Sequence, residues 1–353
     1  KPEYRRDEYR AFAKQLIVSS RGQASFNLKK EFCNIKSNFC FVDVVFDFIQ
    51  NEGDRNEIVE HFRVQVPNVK LATPRERTIV LSDVDDTMFQ SSALMGGPKY
   101  PSKCKFPGIE KLFVELSWNI VFITARPKVM KGMTIREFHK KLTIPNFGML
   151  CGKTSDLLWA ALDRRKAFGR MAEQKYRNFD MISSLYPECK FVWFGDSGQG
   201  DVVTGRMMLD KKPEQMLSVF IHDIVESDGL SPKTSHRRRH ESKQGGITHI
   251  DTYLDAALAL NRLGALSLQS LFRVARATVE DWRVISTTGK WPSETIRAAR
   301  AKEITADLEA VNMVLLHNNM TTVAVDDESL PDQLTPRISP RRKKELIEQA
   351  HFM

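Results

Sequence analysis

The sequence has few cysteines and none of the spacings that cysteine-based sites require. Its 353 residues include five cysteines, namely Cys33, Cys40, Cys104, Cys151 and Cys189. The number is odd, and no Cys-x-x-Cys pair or histidine-rich spacing accompanies them, which argues against a disulfide framework and a zinc site. We therefore expect a protein of a reducing compartment, located in the cytoplasm.

A long uninterrupted apolar run is also missing. The most apolar stretch begins at Tyr253 and is interrupted by Asp255, Asn261 and Arg262, so it fails as a membrane span. The net charge of +9 favours acidic partners such as an anionic membrane surface or a phosphorylated substrate. Nucleic acid is not expected as a partner, because no aromatic-interleaved basic face or recognition motif accompanies this charge.

From residue 77 onward, short apolar segments alternate with segments of helical length. This alternation predicts parallel strands joined by crossover helices, and hence an α/β core. The predicted strands are TIVLS, NIVFIT, GMLC, KFVWFG and LSVFIHDI. Further helices are expected at about 251–281 and 293–316, and the charged, proline-rich stretch 326–344 has the composition of a tail.

The segment ahead of this core has two different periodicities. Residues 5–17 predict an amphipathic helix, whereas CFVDVVFDFI and HFRVQV carry apolar residues at alternate positions, as half-buried strands do. We therefore predict an accessory antiparallel sheet. The predicted domains are an N-terminal accessory segment at 1–75, an α/β domain at 76–260, and a C-terminal helical region with a charged tail at 261–353.

Three acidic residues, Asp83, Asp85 and Asp86, follow the strand TIVLS. Ligands of an open parallel sheet bind beyond the carboxyl ends of its strands. Two carboxylates two residues apart can reach one site there, and their mutual repulsion favours a divalent cation. An acidic turn after a buried strand is the alternative for this motif taken alone.

Further polar residues stand at or near the ends of later predicted strands. Thr124 ends the second strand, and Asp196 ends the fourth with Asp201 five residues later. Lys175 stands near the start of the helical segment before that strand, and Lys166 is the alternative lysine. Taken singly, these residues have plainer interpretations as a strand-end hydroxyl and a surface lysine. Together they predict one site in which a hydroxyl and an ammonium bind a phosphoryl group beside a metal.

This set of motifs resembles the four motifs of the haloacid dehalogenase superfamily of phosphotransferases. DVDDT, GGPKYPSKCKFPGIEKLFVEL, TARP and KYRNFDMISSLYPECKFVWFGDSGQGD resemble more closely the Mg²⁺-dependent phosphatidate phosphatase catalytic domain, known from fungal actin-patch proteins and from bacterial and protist relatives. The resemblance spans about residues 77–260. It implies a Rossmann-like parallel sheet with a small flap insertion. The second motif, TARP, differs from the Ser-Asn-Ser-Pro type of the fungal members and is closer to protist and lipin-like versions. This difference leaves the implied superfamily chemistry unchanged, but the lipid substrate is implied less directly.

The resemblance also implies roles for individual residues. Asp83 would be the nucleophile that forms an aspartyl-phosphate, and Asp85 would act first as the acid and then as the base. Thr124 and Lys175 would hold the transferring phosphoryl group. The implied ligands of Mg²⁺ are Asp83, Asp196 and the backbone carbonyl of Asp85, with Asp201 supporting them.

Four further features near this site also receive assignments. Thr87 is expected to orient the nucleophile and to face the substrate, and Asp86 to cap the turn or support the metal. Arg126 is expected to contact a substrate phosphate, with a surface salt bridge as the alternative. The segment 88–108, which contains Gly96 and Gly97, is long enough to form a flap over the site.

The function that the resemblance implies is Mg²⁺-dependent hydrolysis of phosphatidate to diacylglycerol. Two alternatives remain, namely a phosphatase of the same fold that acts on a soluble or protein-bound phosphate, and a noncatalytic scaffold. Peripheral binding to an anionic membrane is expected to involve Arg237, Arg238 and Arg239, with a solvated loop as the alternative. The sequence does not indicate which proteins, if any, are its partners.

Overall fold

A six-stranded, all-parallel sheet forms the centre of the structure. The structure is a computed structural model and describes residues 3–34, 40–91, 99–153, 164–197, 200–223 and 246–324. The strands lie in the order β3-β2-β1-β4-β5-β6 and comprise β1 (Thr78–Ser82), β2 (Asn119–Pro127), β3 (Gly148–Gly152), β4 (Lys190–Asp196), β5 (Met216–His222) and β6 (Ile247–Ile250). The predicted α/β class is confirmed, and the arrangement is consistent with a Rossmann-like fold of the haloacid dehalogenase type.

Helices precede, connect and follow the strands. Those ahead of the sheet are α1 (Glu3–Ser19), α2 (Gln23–Asn34), α3 (Phe41–Asp43), which continues into a π-helical turn (Val44–Phe48), α4 (Glu52–Gln65) and α5 (Pro74–Arg77). Those between strands are α6 (Ile109–Leu116), α7 (Lys131–Lys141), α8 (Arg164–Leu185) and α9 (Asp201–Lys211). The last are α10 (Tyr253–Arg262), α11 (Leu268–Thr288) and α12 (Glu294–His317). In the described part of the chain, no helix is both long enough and apolar enough to cross a bilayer.

The two faces of the sheet are buried under different sets of helices. Successive side chains of a strand point to opposite faces, so Val80 packs with α6 and the C-terminal helices, whereas Ile79 and Leu81 pack with the N-terminal helices and α8. Both faces are therefore covered. The carboxyl edge of the strands is the place where loops and helix N-termini can form a site.

The predicted N-terminal antiparallel sheet is wrong, because residues 41–65 are largely helical. Within α4 the buried residues include Ile58, Phe62 and Gln65, which follow helical spacing, while Val64 is 49% exposed. Alternate apolar positions suggested a strand, but burial follows the helical period. The predicted helix at 5–17 is confirmed as α1.

The C-terminal helical region also differs in detail from the prediction. The helix expected at 251–281 is interrupted between α10 and α11, where Gly264 adopts a φ of +70° that favours glycine. β6 was not predicted, and its short length of four residues gives little periodicity to detect. The domain boundaries at 75 and 260 stay predictions.

Of the flap, defined as residues 88–108, the structure describes residues 88–91 and 99–108. Phe89 and Lys105 form an antiparallel bridge, and the backbone N–H of Gln90 donates to the carbonyl of Cys104 at 2.9 Å. Gly96 and Gly97 lie outside the described residues. All five cysteines are free thiols, as the odd number and scattered spacing predicted.

Candidate active site

Three buried carboxylates converge at the carboxyl edge of the sheet. β1 and β4 are neighbours with Ser82 aligned to Phe194, so the residues that follow in each strand come together. The backbone N–H of Asp83 donates to the carbonyl of Phe194 at 2.9 Å. One oxygen from each of Asp83, Asp196 and Asp201 lies within 4.8 Å of the others. Each of these residues is at most 2% exposed.

A glycine permits Asp201 to approach the strand end. Asp201 is the first residue of α9, and its carboxylate accepts the backbone N–H of Asp196 at 3.2 Å. A Cβ atom added to Gly195 would lie only 2.5 Å from the Cβ of Asp201. This close packing therefore requires glycine at position 195.

Lys175 supplies the positive charge among these carboxylates. Its Nζ lies 2.8 Å from Asp83 and 2.5 Å from Asp201, and its side chain is 3% exposed. Burial alone would lower the pKa of Lys175, but the charges of Asp201 and Asp83 outweigh this effect and hold its pKa well above the ordinary value. The alternative, Lys166, has a side chain outside the described part of the structure.

The charge of this cluster suits a divalent cation. Burial raises the pKa of Asp83 to about 7, with Lys175 opposing the shift and Asp201 adding to it. Three carboxylates and one ammonium would carry a net charge of −2 when all are ionised. All-oxygen ligands are those that Mg²⁺ and Ca²⁺ prefer. The residues therefore fit a hard divalent cation.

Asp85 lies outside this cluster and is held by Arg126. The guanidinium donates to both carboxylate oxygens of Asp85, at 2.6 Å and 3.0 Å. The two side chains are 35% and 27% exposed, so the pair lies at the mouth of the site. This ion pair is the alternative considered for Arg126. The proposed contact of the Asp85 carbonyl with a metal stays a prediction.

Two threonines flank the cluster. Thr124 is 1% exposed, and its hydroxyl oxygen accepts the backbone N–H of Arg126 at 3.1 Å, which leaves the hydroxyl proton free to be donated. The hydroxyl of Thr87 is buried and has no hydrogen-bond partner among the described residues, so the expected bond to the nucleophile is not formed. A role for Thr87 in substrate binding stays a prediction.

Asp86 stabilises the turn that carries the nucleophile. It has a φ of +62°, and its carboxylate accepts from the backbone N–H of Ser91 at 2.8 Å and from the Ser91 hydroxyl at 2.6 Å. Gln90 donates to the same carboxylate at 3.0 Å. Of the two roles considered for Asp86, the capping role matches these contacts.

Tyr253 reaches the same turn from α10 and was not identified from the sequence. Its hydroxyl donates to the carbonyl of Thr87 at 2.6 Å, and its side chain is 1% exposed. The ring packs against Phe106 and His222. No sequence signal near Tyr253 marks this contact, because its partner is 166 residues away.

The carboxyl edge of the sheet therefore carries buried carboxylates, a lysine paired with them and a strand-end threonine. Together these groups can bind a metal ion and a phosphoryl group, as a phosphotransfer enzyme requires. Residues 78–223 match the family model described as Phosphatidate phosphatase APP1, catalytic domain. The match confirms the resemblance, and the enzyme class is that of a phosphatase. No curated protein sequence matches the chain. The matched segment ends before β6 and the helix that carries Tyr253.

Proposed function

We propose that the protein hydrolyses phosphatidate to diacylglycerol and phosphate through a phosphorylated Asp83, in a reaction that requires Mg²⁺. The observation that carries this proposal is the buried contact of Asp83 with Lys175, beside Asp196 and Asp201. The match of this segment to a phosphatidate phosphatase family supports the lipid substrate.

In the first proposed step, a carboxylate oxygen of Asp83 bonds to phosphorus while the bond from phosphorus to the lipid oxygen breaks. Asp85 gives its proton to that oxygen, and diacylglycerol leaves. Thr124 donates a hydrogen bond to the phosphoryl group, and Lys175 neutralises its developing charge. Mg²⁺ held by Asp83, Asp196 and Asp201 would add positive charge at the same group.

In the second proposed step, water attacks the phosphorus of phosphoryl-Asp83. Asp85 now accepts the proton of the water, the bond between Asp83 and phosphorus breaks, and phosphate leaves. Asp85 suits both steps because it is partly exposed, whereas Asp83 is buried. Arg126 holds the Asp85 carboxylate in the structure, and an incoming phosphate group offers Arg126 a second anionic partner.

The test is phosphate release from phosphatidate in mixed micelles, beside a panel of soluble phosphomonoesters and a phosphoprotein, with and without Mg²⁺. Asp83→Asn is the inactive variant. Asp180→Asn is the matched control, since Asp180 lies on the exposed side of α8 and pairs with Lys212. We expect release from phosphatidate only with Mg²⁺ and only in wild type and the control. Faster release from a soluble ester would favour the alternative phosphatase.

Because phosphatidate is held in a bilayer, the proposal includes peripheral association of a cytoplasmic protein with an anionic membrane. The five free cysteines suit a reducing compartment. Arg237, Arg238 and Arg239, the residues expected to make this contact, lie outside the described residues. Their contact with the membrane stays a prediction.

A further inference from the structure

Two large apolar side chains project into solvent where β2 leads into α7. Val129 is 83% exposed and Met133 is 54% exposed. Val129 lies in the 3-10 turn Lys128–Met130 that leads into α7, and Met133 lies in the first turn of α7. The opposite face of α7 packs normally, with Ile135 and Phe138 buried. Val129 and Met133 are therefore not needed for the packing of this helix.

Basic side chains surround these two residues. The segment 126–141 contains six lysines and arginines and one acidic residue, Glu137. Lys128 and Lys131 pair with Asp47 and Asp43, each at 2.6 Å. Arg136 and Lys140 have no carboxylate within salt-bridge distance among the described residues, and both are exposed. Even with the paired aspartates included, the surface is net positive with an apolar tip.

This surface is joined directly to the catalytic machinery. It follows Thr124 along β2, and Arg126 at its beginning is the partner of Asp85. A cavity of about 410 Å³ adjoins it, and its lining combines Lys128 and Lys131, with their partners Asp47 and Asp43, and the apolar side chains of Phe46, Leu150 and Met181. An amphiphile bound at this corner would therefore lie beside the carboxyl edge of the sheet that carries Asp83.

We propose that the β2–α7 corner, residues 126–141, is the surface with which the enzyme docks on an anionic lipid bilayer. Val129 and Met133 enter the headgroup region, and Arg136 and Lys140 face the lipid phosphates. The orientation brings the mouth of the site to the membrane. The proposal rests on the proposed function for its purpose, but the docking itself is measurable without turnover.

Another apolar stripe lies on α1, where Tyr9, Phe12 and Leu16 are each about half exposed or more. Its spacing of three and four positions makes one helical face. α1 carries nearly balanced charges, with four cations and three acids in residues 3–19, and it precedes the sheet instead of joining the site. Charge and position therefore favour the β2–α7 corner, and α1 becomes an arm of the test.

The test measures sedimentation of the full chain with vesicles of phosphatidylcholine mixed with phosphatidylserine, a lipid that the enzyme is not expected to hydrolyse. The variants are Val129→Ser with Met133→Ser, which removes the apolar tip without adding charge, and Arg136→Gln with Lys140→Gln. Val284→Ser with Leu316→Ser is the matched control, because these exposed apolar residues lie on α11 and α12. Phe12→Ser with Leu16→Ser tests α1. Unchanged melting temperatures show that each variant is folded.

We expect each β2–α7 double variant to lower vesicle partitioning by about tenfold or more, and the control pair to leave it unchanged. At about 0.5 M salt the charge variant should approach wild type while the apolar variant stays weak, since salt screens only the charges. Unchanged partitioning in both β2–α7 variants, or a loss confined to the Phe12 and Leu16 variant, would overturn the proposal. Phosphate release from phosphatidate is scored separately, so an inactive wild type refutes the proposed function and leaves the docking result standing.

Discussion

Replacing Tyr253 by phenylalanine tests whether the C-terminal helices hold the nucleophile turn in its working position. The substitution removes one hydroxyl and keeps the ring that packs against Phe106 and His222. The carbonyl of Thr87 then loses its donor at 2.6 Å, two residues from Asp85. The change therefore acts on the turn without touching a charged group of the site.

The size of the effect follows from the cost of an unpaired buried carbonyl. That cost is about 1–3 kcal/mol. If the turn keeps its place, the whole cost appears as lost stability. If the turn moves so that the carbonyl meets water, stability is largely retained, but Asp83 and Asp85 are displaced, and a displacement of about 1 Å can cost about 100-fold in rate. We expect a mixture, with a loss of about 1–2 kcal/mol in stability and about tenfold in kcat.

The assay combines urea unfolding with steady-state kinetics on a short-chain phosphatidate. Tyr186→Phe is the matched control, because Tyr186 is equally buried and its hydroxyl contacts Cys33 at 3.7 Å, on the other face of the sheet. KM should change by less than about threefold in Tyr253→Phe, since no substrate contact is removed. A Tyr253→Phe enzyme with wild-type kcat, or an equal loss of kcat in Tyr186→Phe, would refute a positioning role for Tyr253.

Three further predictions concern the metal ligands, the buried lysine and the ion pairs of Glu115. Asp196→Ala should raise the Mg²⁺ concentration for half-maximal rate by about tenfold or more, and full wild-type activity in excess EDTA would contradict the metal requirement. Lys175→Met should lower the free energy of unfolding by about 3–5 kcal/mol in urea, because two buried carboxylates lose their counter-charge, and a smaller loss than in the exposed variant Lys190→Met would contradict the buried pairing. Burial would raise the pKa of Glu115, but hydrogen bonds from Arg273 and Lys111 hold it at about 2, below its ordinary value of 4.5. The ionised Glu115 therefore stabilises the fold above about pH 4.5, and this contribution is lost as pH falls toward 2. Glu115→Gln should reduce the change in the free energy of unfolding between pH 4.5 and 2 by an amount of order 2 kcal/mol. Identical plots of unfolding free energy against pH would show that the contacts of Glu115 with Arg273 and Lys111 contribute nothing.

The site could be predicted largely because its residues stand at strand ends. Asp83, Thr124 and Asp196 follow apolar segments whose pattern was correctly interpreted as parallel strands, and parallel strands bring their carboxyl ends to one edge. Asp201 and Lys175 were assigned to the same site from their positions, five residues after and 21 residues before Asp196, and the structure brings both to Asp83 or its neighbours. Local sequence carried this information because each residue is fixed by its own strand or helix.

What the sequence did not reveal depends on contacts between distant segments. The ion pair of Arg126 with Asp85 joins residues 41 positions apart, and the bond of Tyr253 to Thr87 spans 166 positions. The N-terminal error had a different cause. Residues 41–49 are apolar at most positions, so they fit a strand period, while the buried set that includes Phe41, Val45 and Ile49 follows the helical period set by packing on the sheet.

Trapping the covalent intermediate tests the proposed mechanism most directly. Wild-type enzyme is mixed with phosphatidate labelled in its phosphate and with Mg²⁺, quenched in acid within one turnover, digested, and analysed by mass spectrometry. The account predicts a label on the peptide that contains Asp83. Hydroxylamine should release this label as phosphate, because it cleaves acyl phosphates, and the label should be absent from Asp83→Asn. A label on another residue, or turnover by Asp83→Asn within about tenfold of wild type, would contradict Asp83 as the nucleophile.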